Sequence, residues 1–501
     1  MKTLSLAVLA VMSASTGGAQ VPLTLDTSFR ATRFVNSGFM DVLPLDDGSV
    51  LATGYMISID QCCSGIPYSF FRLLPNGDLD ESWTTNGGYG PINPSGDYYY
   101  LNIDGFPLRY FQSTGELDPT FEPLFENDDH PGLNNGNGGD IFVQADGKVL
   151  CTGDHLIVEQ WGQNAPGWYS LLQVNTDGIL DSTFDYRQTN GVIWTLEPTT
   201  QGRLLVSGVY STYEGQPAGR ILRIWPDGSL DTTFHTDIIK GYASVLEELP
   251  DGRILAGGQF VFPNEPDTMH LIRLLPNGTL DSTFNNHTEY NHLPQWSFGD
   301  FSHSLRAILP LPDGTMMVGG DFTHINGQLR RGVALLDTAG NLLNTAFTGE
   351  GCGLWHDFNS TSMYSGLTDI SLAPDGSIFV CGFFKGFDDG LVSDTSMTFI
   401  AKLHGLSVGI HETAATQKRG SLLVLPNPAN TQVSFRYRLL EPVKEGYIRL
   451  VDALGHEVMR LPLHDAHGES MLDTRHFANG NYTAQLINAD LPVASQKLIL
   501  Q

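Results

Sequence analysis

LLPNGTLDSTF, residues 274–284, joins two short phrases that return down most of the chain. Asn-Gly between apolar runs marks a tight hairpin turn, and the β-prone LDSTF follows it at once. The second phrase reads LDTSF at 25–29, LDESW at 79–83, LDPTF at 117–121, LDSTF at 180–184, LDTTF at 230–234, LDSTF at 280–284 and LNTAF at 343–347, seven copies in all. The turn phrase precedes most of them: LLPNG at 73–77, QSTG at 112–115, VNTDG at 174–178, IWPDG at 224–228 and LDTAG at 336–340. Between copies lies a third signal, an Asp-Gly turn and a β run ending in small residues. Examples are DDGSVLATG from Asp46, ADGKVLCTG from Ala145, PDGRILAGG from Pro250 and PDGSIFVCG from Pro374.

Each unit therefore predicts strand, Gly turn, strand, longer loop, strand, Gly turn, and a short fourth strand holding the LDxxF phrase. Four antiparallel strands repeating at about 50 to 60 residues indicate propeller blades, because one blade cannot bury both faces until it stacks on neighbours. The expected fold is all-β: a seven-bladed β-propeller followed by a small C-terminal β-sandwich. The first LDTSF stands before any first-blade strand, and the last unit ends in LHGLSVGI without the phrase. Residues 25–29 are thus expected to pair with a strand near Thr398–Leu403, supplying the missing outer strand and closing the ring.

Composition agrees with many short strands. Among 501 residues, 55 are Gly and 27 Pro, and only 16% are charged. The opening MKTLSLAVLAVMSASTGGAQ has Lys2, a short apolar run and small residues before Gln20, the pattern of a cleavable export signal over 1–19. No later stretch has the roughly 18 apolar residues of a membrane helix, so no transmembrane segment is expected in the mature form. Five cysteines, few and odd in number, argue against a disulfide framework, and the lack of a CxxC pair against a cysteine metal site. Cys151 and Cys381 stand at small-residue strand positions and read as apolar packing. The net charge of -28 argues against nucleic acid as a partner. Residues 411–501 carry nine acidic and nine basic side chains, so residues 1–410 hold that charge.

GGDFTHINGQLRRGVALLDTAGNLLNTAF at 319–347 and RILRIWPDGSLDTTF at 220–234 resemble the delta-60 repeat of secreted bacterial β-propeller proteins. The resemblance implies a propeller over 20–410 and says little of biochemical role. After a polar linker at 411–420, residues 421–501 resemble the type A C-terminal sorting domain of the type IX secretion system. The residues that carry this are LPNPAN at 425–430, YIRLVDALGHEV at 447–458, LDTRHFANGNYTAQL at 472–486 and KLIL at 497–500. That resemblance implies passage to the periplasm by the signal peptide, then export to the outer cell surface or release. Its partners would be the secretion machinery and a sorting protease.

No standard catalytic motif is present: there is no GxSxG and no Walker loop, and His411-Glu412 lacks the second histidine of a zinc-protease helix. The repeated Asp26, Asp80, Asp118, Asp181, Asp231 and Asp281 read as architecture, each capping its own turn while Leu and Phe pack between blades. Chemistry is expected on the other face, where the long insertions fall. Trp161, Trp168, Tyr290, Trp296 and Trp355 are candidate stacking surfaces there, and His356 a polar ligand. Asp128, Asp129 and Asp140 are candidate metal ligands: no cofactor is required, but NNGNGGD at 134–140 weakly resembles a Ca2+-binding turn. Two functions fit: a noncatalytic binding or scaffold protein for glycan or protein, or a polysaccharide hydrolase or lyase using acids such as Asp128 or Asp357 on the same face.

Overall fold

The computed structural model describes residues 23–35, 38–58, 68–85, 89–103, 105–121, 133–292, 305–404 and 420–500, with several short breaks inside the last three spans. Among the described residues every regular element is a strand and there is no helix. They form two compact units, Met1–Val408 and Gly409–Gln501. The expected signal peptide at 1–19 and nearly all of the expected linker lie outside the described residues.

Among the described residues the N-terminal unit holds ten antiparallel sheets, seven main ones that succeed one another along the chain and three smaller ones in the connections. The first comprises Phe39–Pro44, Val50–Ile57, Tyr68–Leu73 and Leu79–Thr85; the second Tyr89–Ser95, Tyr98–Ile103 and Phe106–Phe111; the third Leu133–Val143, Val149–Ile157 and Gly167–Val174. The fourth comprises Val192–Pro198, Leu204–Val209 and Ile221–Ile224; the fifth Lys240–Glu248, Ile254–Val261 and Met269–Leu274; the sixth Leu305–Pro310, Met316–Gly320 and Val333–Leu336. The seventh comprises Gly366–Leu372, Ile378–Asp388 and Ser393–His404, and here the N-terminal Thr24–Leu25 adds itself antiparallel, Thr24 opposite His404 and Leu25 opposite Leu403. Only the start of the expected segment makes this ladder; further along, the Ala31 carbonyl accepts from the Thr398 N–H at 2.8 Å.

Outside the second sheet the Gly turns of the repeat are three-residue hairpins. At residues 275–279 the Gly278 N–H donates to Leu275 O and the Leu275 N–H to Thr279 O, with Gly278 alone at positive φ, 92°. A side chain at Gly278 would also stand 2.4 Å from His235 O, so both conformation and space select glycine.

The LDxxF phrase is not the short strand expected of it. Outside the first sheet its leading Leu makes one bridge, as in Leu274↔Leu280, and the chain then turns. The cause is the Asp side chain, whose Oδ1 accepts both the N–H and the hydroxyl of the residue two further on, as Asp281 does from Thr283 at 2.9 and 2.6 Å.

The small residues that end each second strand face a bulge in the first. In the fourth, fifth and seventh sheets the ladder shifts at Ile193/Thr195, Ala243/Val245 and Leu367/Asp369, opposite Gly208, Gly258 and Gly382. A Cβ on Gly258 would stand 2.2 Å from the Tyr242 carbonyl oxygen, a backbone atom with no room to retreat. Gly258→Ala is expected to destabilise by about 3 kcal/mol in denaturant unfolding. Gly167→Ala, where a Cβ meets Gln188 at 3.6 Å and Tyr169 at 3.9 Å, both ordinary contacts, should be near neutral. Hydroxyls on or beside the first strands tie neighbouring sheets: Thr53 Oγ1 donates to Gly90 O, Thr195 Oγ1 to Ala243 O and Thr368 Oγ1 to Phe39 O, at 2.7, 3.0 and 2.7 Å.

The C-terminal unit has two sheets on one core. Gly420–Leu425, Gln432–Leu439 and His467–Asp473 form one; Glu457–Pro462, Tyr447–Val451, Gly480–Asn488 and Leu491–Leu500, in that spatial order, form the other. Alternating residues Val433, Phe435, Ile448, Leu450, Ala484, Leu486 and Leu498 bury between them, and Ala429 bridges to Leu500.

Candidate functional site

The repeated carboxylate is the most regular polar feature of the molecule. Asp26, Asp80, Asp118, Asp181, Asp231 and Asp281 are all buried. Each gives Oδ1 to its own turn and Oδ2 to a cation the sequence reading did not single out. Arg109 pairs with Asp118 (2.8 Å), Arg223 with Asp231 (2.7 Å), Arg273 with Asp281 (2.8 Å) and Arg72 with Asp80. Lys402 stands 3.7 Å from Asp26. Three of these arginines also reach the next sheet's turn, through Thr176 O, Pro276 O and Thr338 O at 2.7–2.8 Å, and lie over the phrase's Phe at 4.6–4.9 Å. Burial would raise the carboxyls of Asp231 and Asp281, but the threonine and arginine hydrogen bonds outweigh it and hold both down at about 2.

Two units depart from this pattern in instructive ways. In the third, Gln173 occupies the arginine position and Lys148, just ahead of Val149–Ile157, replaces the cation, 2.6 Å from Asp181. In the sixth, the backbone bond that Asp281 N–H makes to Arg273 O is made by Leu343 N–H to Leu335 O. The phrase therefore sits one residue earlier than its spelling LNTAF suggests, and an apolar pair replaces the ion pair. Both leucines join the same hydrophobic cluster.

A cavity of about 250 Å3 lies where the first strands of the seven sheets converge. Its polar lining includes Asp41, Asp140, Glu197, Arg306 and Asp369, beside apolar Phe142, Leu196 and Val245. Arg306 is bound to Asp321, 2.8 Å away, Asp369 accepts from the Ser371 hydroxyl at 2.8 Å, and Asp41 accepts from the Ile92 N–H at 2.7 Å. Of these, only Asp140 is among the residues chosen from the sequence.

Of the other chosen residues, those described lie in separate surroundings. Trp161 is half-buried and its indole N–H donates to Leu180 O at 3.0 Å, fixing its own loop. Trp355 packs edge-on against Phe399. Tyr290 is buried against Phe322, and desolvation pushes its phenol up. Among the chosen residues whose burial is described, Trp168 alone is exposed, at 48%. His356 follows Trp355 in a two-residue strand, while Trp296, Asp128, Asp129 and Asp357 lie outside the described residues. NNGNGGD is not a turn: residues 134–140 belong to Leu133–Val143 and pair with the next strand. Among the described residues no three His, Cys, Asp or Glu side chains are grouped to hold a metal ion. Cys151, Cys352 and Cys381 are buried free thiols. His155 is fully buried between the second and third sheets beside Phe106, its Nε2 3.0 Å from Thr152 O and its Nδ1 without a partner.

Residues 202–234, 249–284 and 311–342 match a family described as a domain of unknown function (DUF5122) β-propeller, and residues 423–501 match a secretion system C-terminal sorting domain. The chain carries a DUF5122 β-propeller and a type IX sorting domain. The three DUF5122 matches cover the fourth to sixth units, from the second strand to the LDxxF phrase or its counterpart. The sorting domain directs export to the outer cell surface or secretion. No curated protein matches the chain. Among solved structures, similar ones include the extracellular domain of BT4673 from B. thetaiotaomicron (TM-score 0.39, 11% identity, 97% of this chain and 59% of that one). Others are PorZ, a surface component of the type IX secretion system of Porphyromonas gingivalis (0.35, 10%, 91% and 64%), and the calcium-binding protein regucalcin of Agrobacterium tumefaciens (0.28, 12%, 77% and 94%). The chain spans less than two thirds of the first two.

Proposed function

We propose that the DUF5122 unit is a seven-bladed propeller closed by Thr24–Leu25 and acts, once exported, as a noncatalytic binding protein for glycan or protein. The observation that carries the binding role is the asymmetry of the unit. The Gly-turn ends are short and uniform, whereas the opposite connections build extra small sheets: Thr212–Tyr213 with Gln216–Pro217, Tyr290–His292 with Phe322–Ile325 and Gln328–Leu329, and Trp355–His356 with Met363–Tyr364. Variable loops on a rigid repeat are the usual place for recognition. Closure is supported by the Thr24–Leu25 ladder and by the Thr368 and Ser371 hydroxyls of the last sheet, which donate to Phe39 O and Val42 O of the first. The sorting domain would be removed by a sorting protease after engaging the secretion machinery.

The test is a glycan and surface-protein array probed with the full chain, beside a polysaccharide degradation screen. Binding that survives Asp140→Asn and Glu197→Gln, but is lost when the segment 348–364 is replaced by a short Gly-Ser loop, is the expected result. Turnover of a polysaccharide without retained binding would overturn the reading.

A further inference from the structure

The last and first sheets, which are not consecutive in chain order, meet along a seam through residues 23–35, which run from the edge strand Thr24–Leu25 of the last sheet toward Phe39 of the first. The ladder there is only two residues long, so side chains hold most of the segment. Leu23 and Leu25, 1% and 4% exposed, enter the core of the sixth and seventh sheets. Phe29, Ala31 and Phe34 enter a separate cluster that contains Phe39 and Phe71 of the first sheet together with Phe379 and Phe399 of the seventh. Polar bonds point the same way. The Leu25 N–H donates to Asp389 Oδ2 at 2.5 Å, Arg30 pairs with Asp394 at 3.0 Å, and both the N–H and hydroxyl of Thr398 donate to Ala31 O.

Asp389 is buried, and its other oxygen accepts from the Leu391 and Val392 N–H groups, so the turn at 389–392 orients the carboxylate toward the strand. Phe399, close to where Thr398 bonds Ala31, has φ 65°, a left-handed conformation that a bulky residue keeps only when its surroundings impose it. Its ring then reaches across the seam to Phe39, at 6.0 Å between centroids.

We propose that residues 23–35 are a releasable strap with Asp389 as its clasp, and that the N-terminal unit opens first at the seam between the last and first sheets. Release frees the backbone donors and acceptors along the edge of Ser393–His404. The inference rests on the ring closure proposed above and adds to it the place and the residue that control opening.

Hydrogen–deuterium exchange of the full chain tests it. In the native protein, segments 39–44, 366–372 and 393–404 should exchange faster than the corresponding strands of the fourth and fifth sheets. Asp389→Ala should raise exchange at 23–35 and 393–404 by about tenfold or more, with the fourth and fifth sheets unchanged. A disulfide between Leu25→Cys and Leu403→Cys, which face each other in the ladder, should restore protection in that variant. Exchange that rises equally in all sheets, or persists despite the disulfide, overturns the strap. Failure of the disulfide to form in the otherwise native chain overturns closure itself, so the two readings fail separately.

Discussion

Asp118→Ala is expected to lower the stability of the N-terminal unit by about 3–5 kcal/mol, because it leaves Arg109 buried without its counter-charge. Asp118 is 1% exposed, and one carboxylate there serves two neighbours at once: Oδ1 closes the turn onto Thr120 and Oδ2 holds Arg109 at 2.8 Å. The informative comparison is the double variant Arg109→Leu with Asp118→Leu. Leu335 and Leu343 already occupy the two equivalent places in the sixth unit, so the apolar pair fits this framework. Denaturant unfolding should show the double variant recovering more than half of the loss. A single variant costing under about 1 kcal/mol, the range of an exposed pair, would mean that solvent reaches the site.

Acid should weaken the same unit in two stages. The imidazole of His155 is pushed down from 6.5 to about 4 by burial, against a single bond to Thr152 O. Between those values the unfolded chain binds a proton that the folded chain refuses, so stability falls as pH drops from about 6.5 to about 4, by of order 3 kcal/mol. Below the ordinary Asp value of 3.8 the carboxylates take over: Asp231 and Asp281 hold at about 2 when folded, and their contribution is lost as pH falls through that range. His155→Gln keeps an N–H donor for Thr152 O and removes the titration. The variant's stability should therefore be flat relative to the native chain above pH 6.5 and gain on it from there to pH 4. Parallel slopes in both proteins would show that the imidazole is hydrated in the folded state.

The repeat was legible because turn chemistry is written in a few residue types. Asp-Gly and Asn-Gly fix where hairpins fall, and so fix the sheets. The arginines were missed because the phrase begins at its Leu, while the cation stands eight or nine residues before the Asp, on the previous strand. In the third unit it comes from just ahead of another strand, as Lys148. The fourth strand was misread because LDxxF has β-prone ends, whereas the Asp in its middle captures the backbone and turns it. The cavity was invisible for the opposite reason: three of its lining residues, Ser244, Arg306 and Thr368, occupy equivalent bulged positions in the fifth to seventh sheets but differ in type. A shared position without a shared residue leaves no trace in a repeat. Trp161 anchors its loop through Leu180 O, and Trp355 packs its own against Phe399.

The arginine that reaches from one sheet to the next turn bears on how such a chain could be taken apart. Arg109, Arg223 and Arg273 each finish their hydrogen bonding on a carbonyl about fifty to seventy residues downstream. A unit cut at the boundaries of its own phrase would carry away a guanidinium and leave behind the oxygen it needs. The sequence looks like a string of interchangeable beads, but the natural module is staggered, running from the middle of one sheet to the turn of the next. Transplanted or duplicated units should fold only if cut along that stagger.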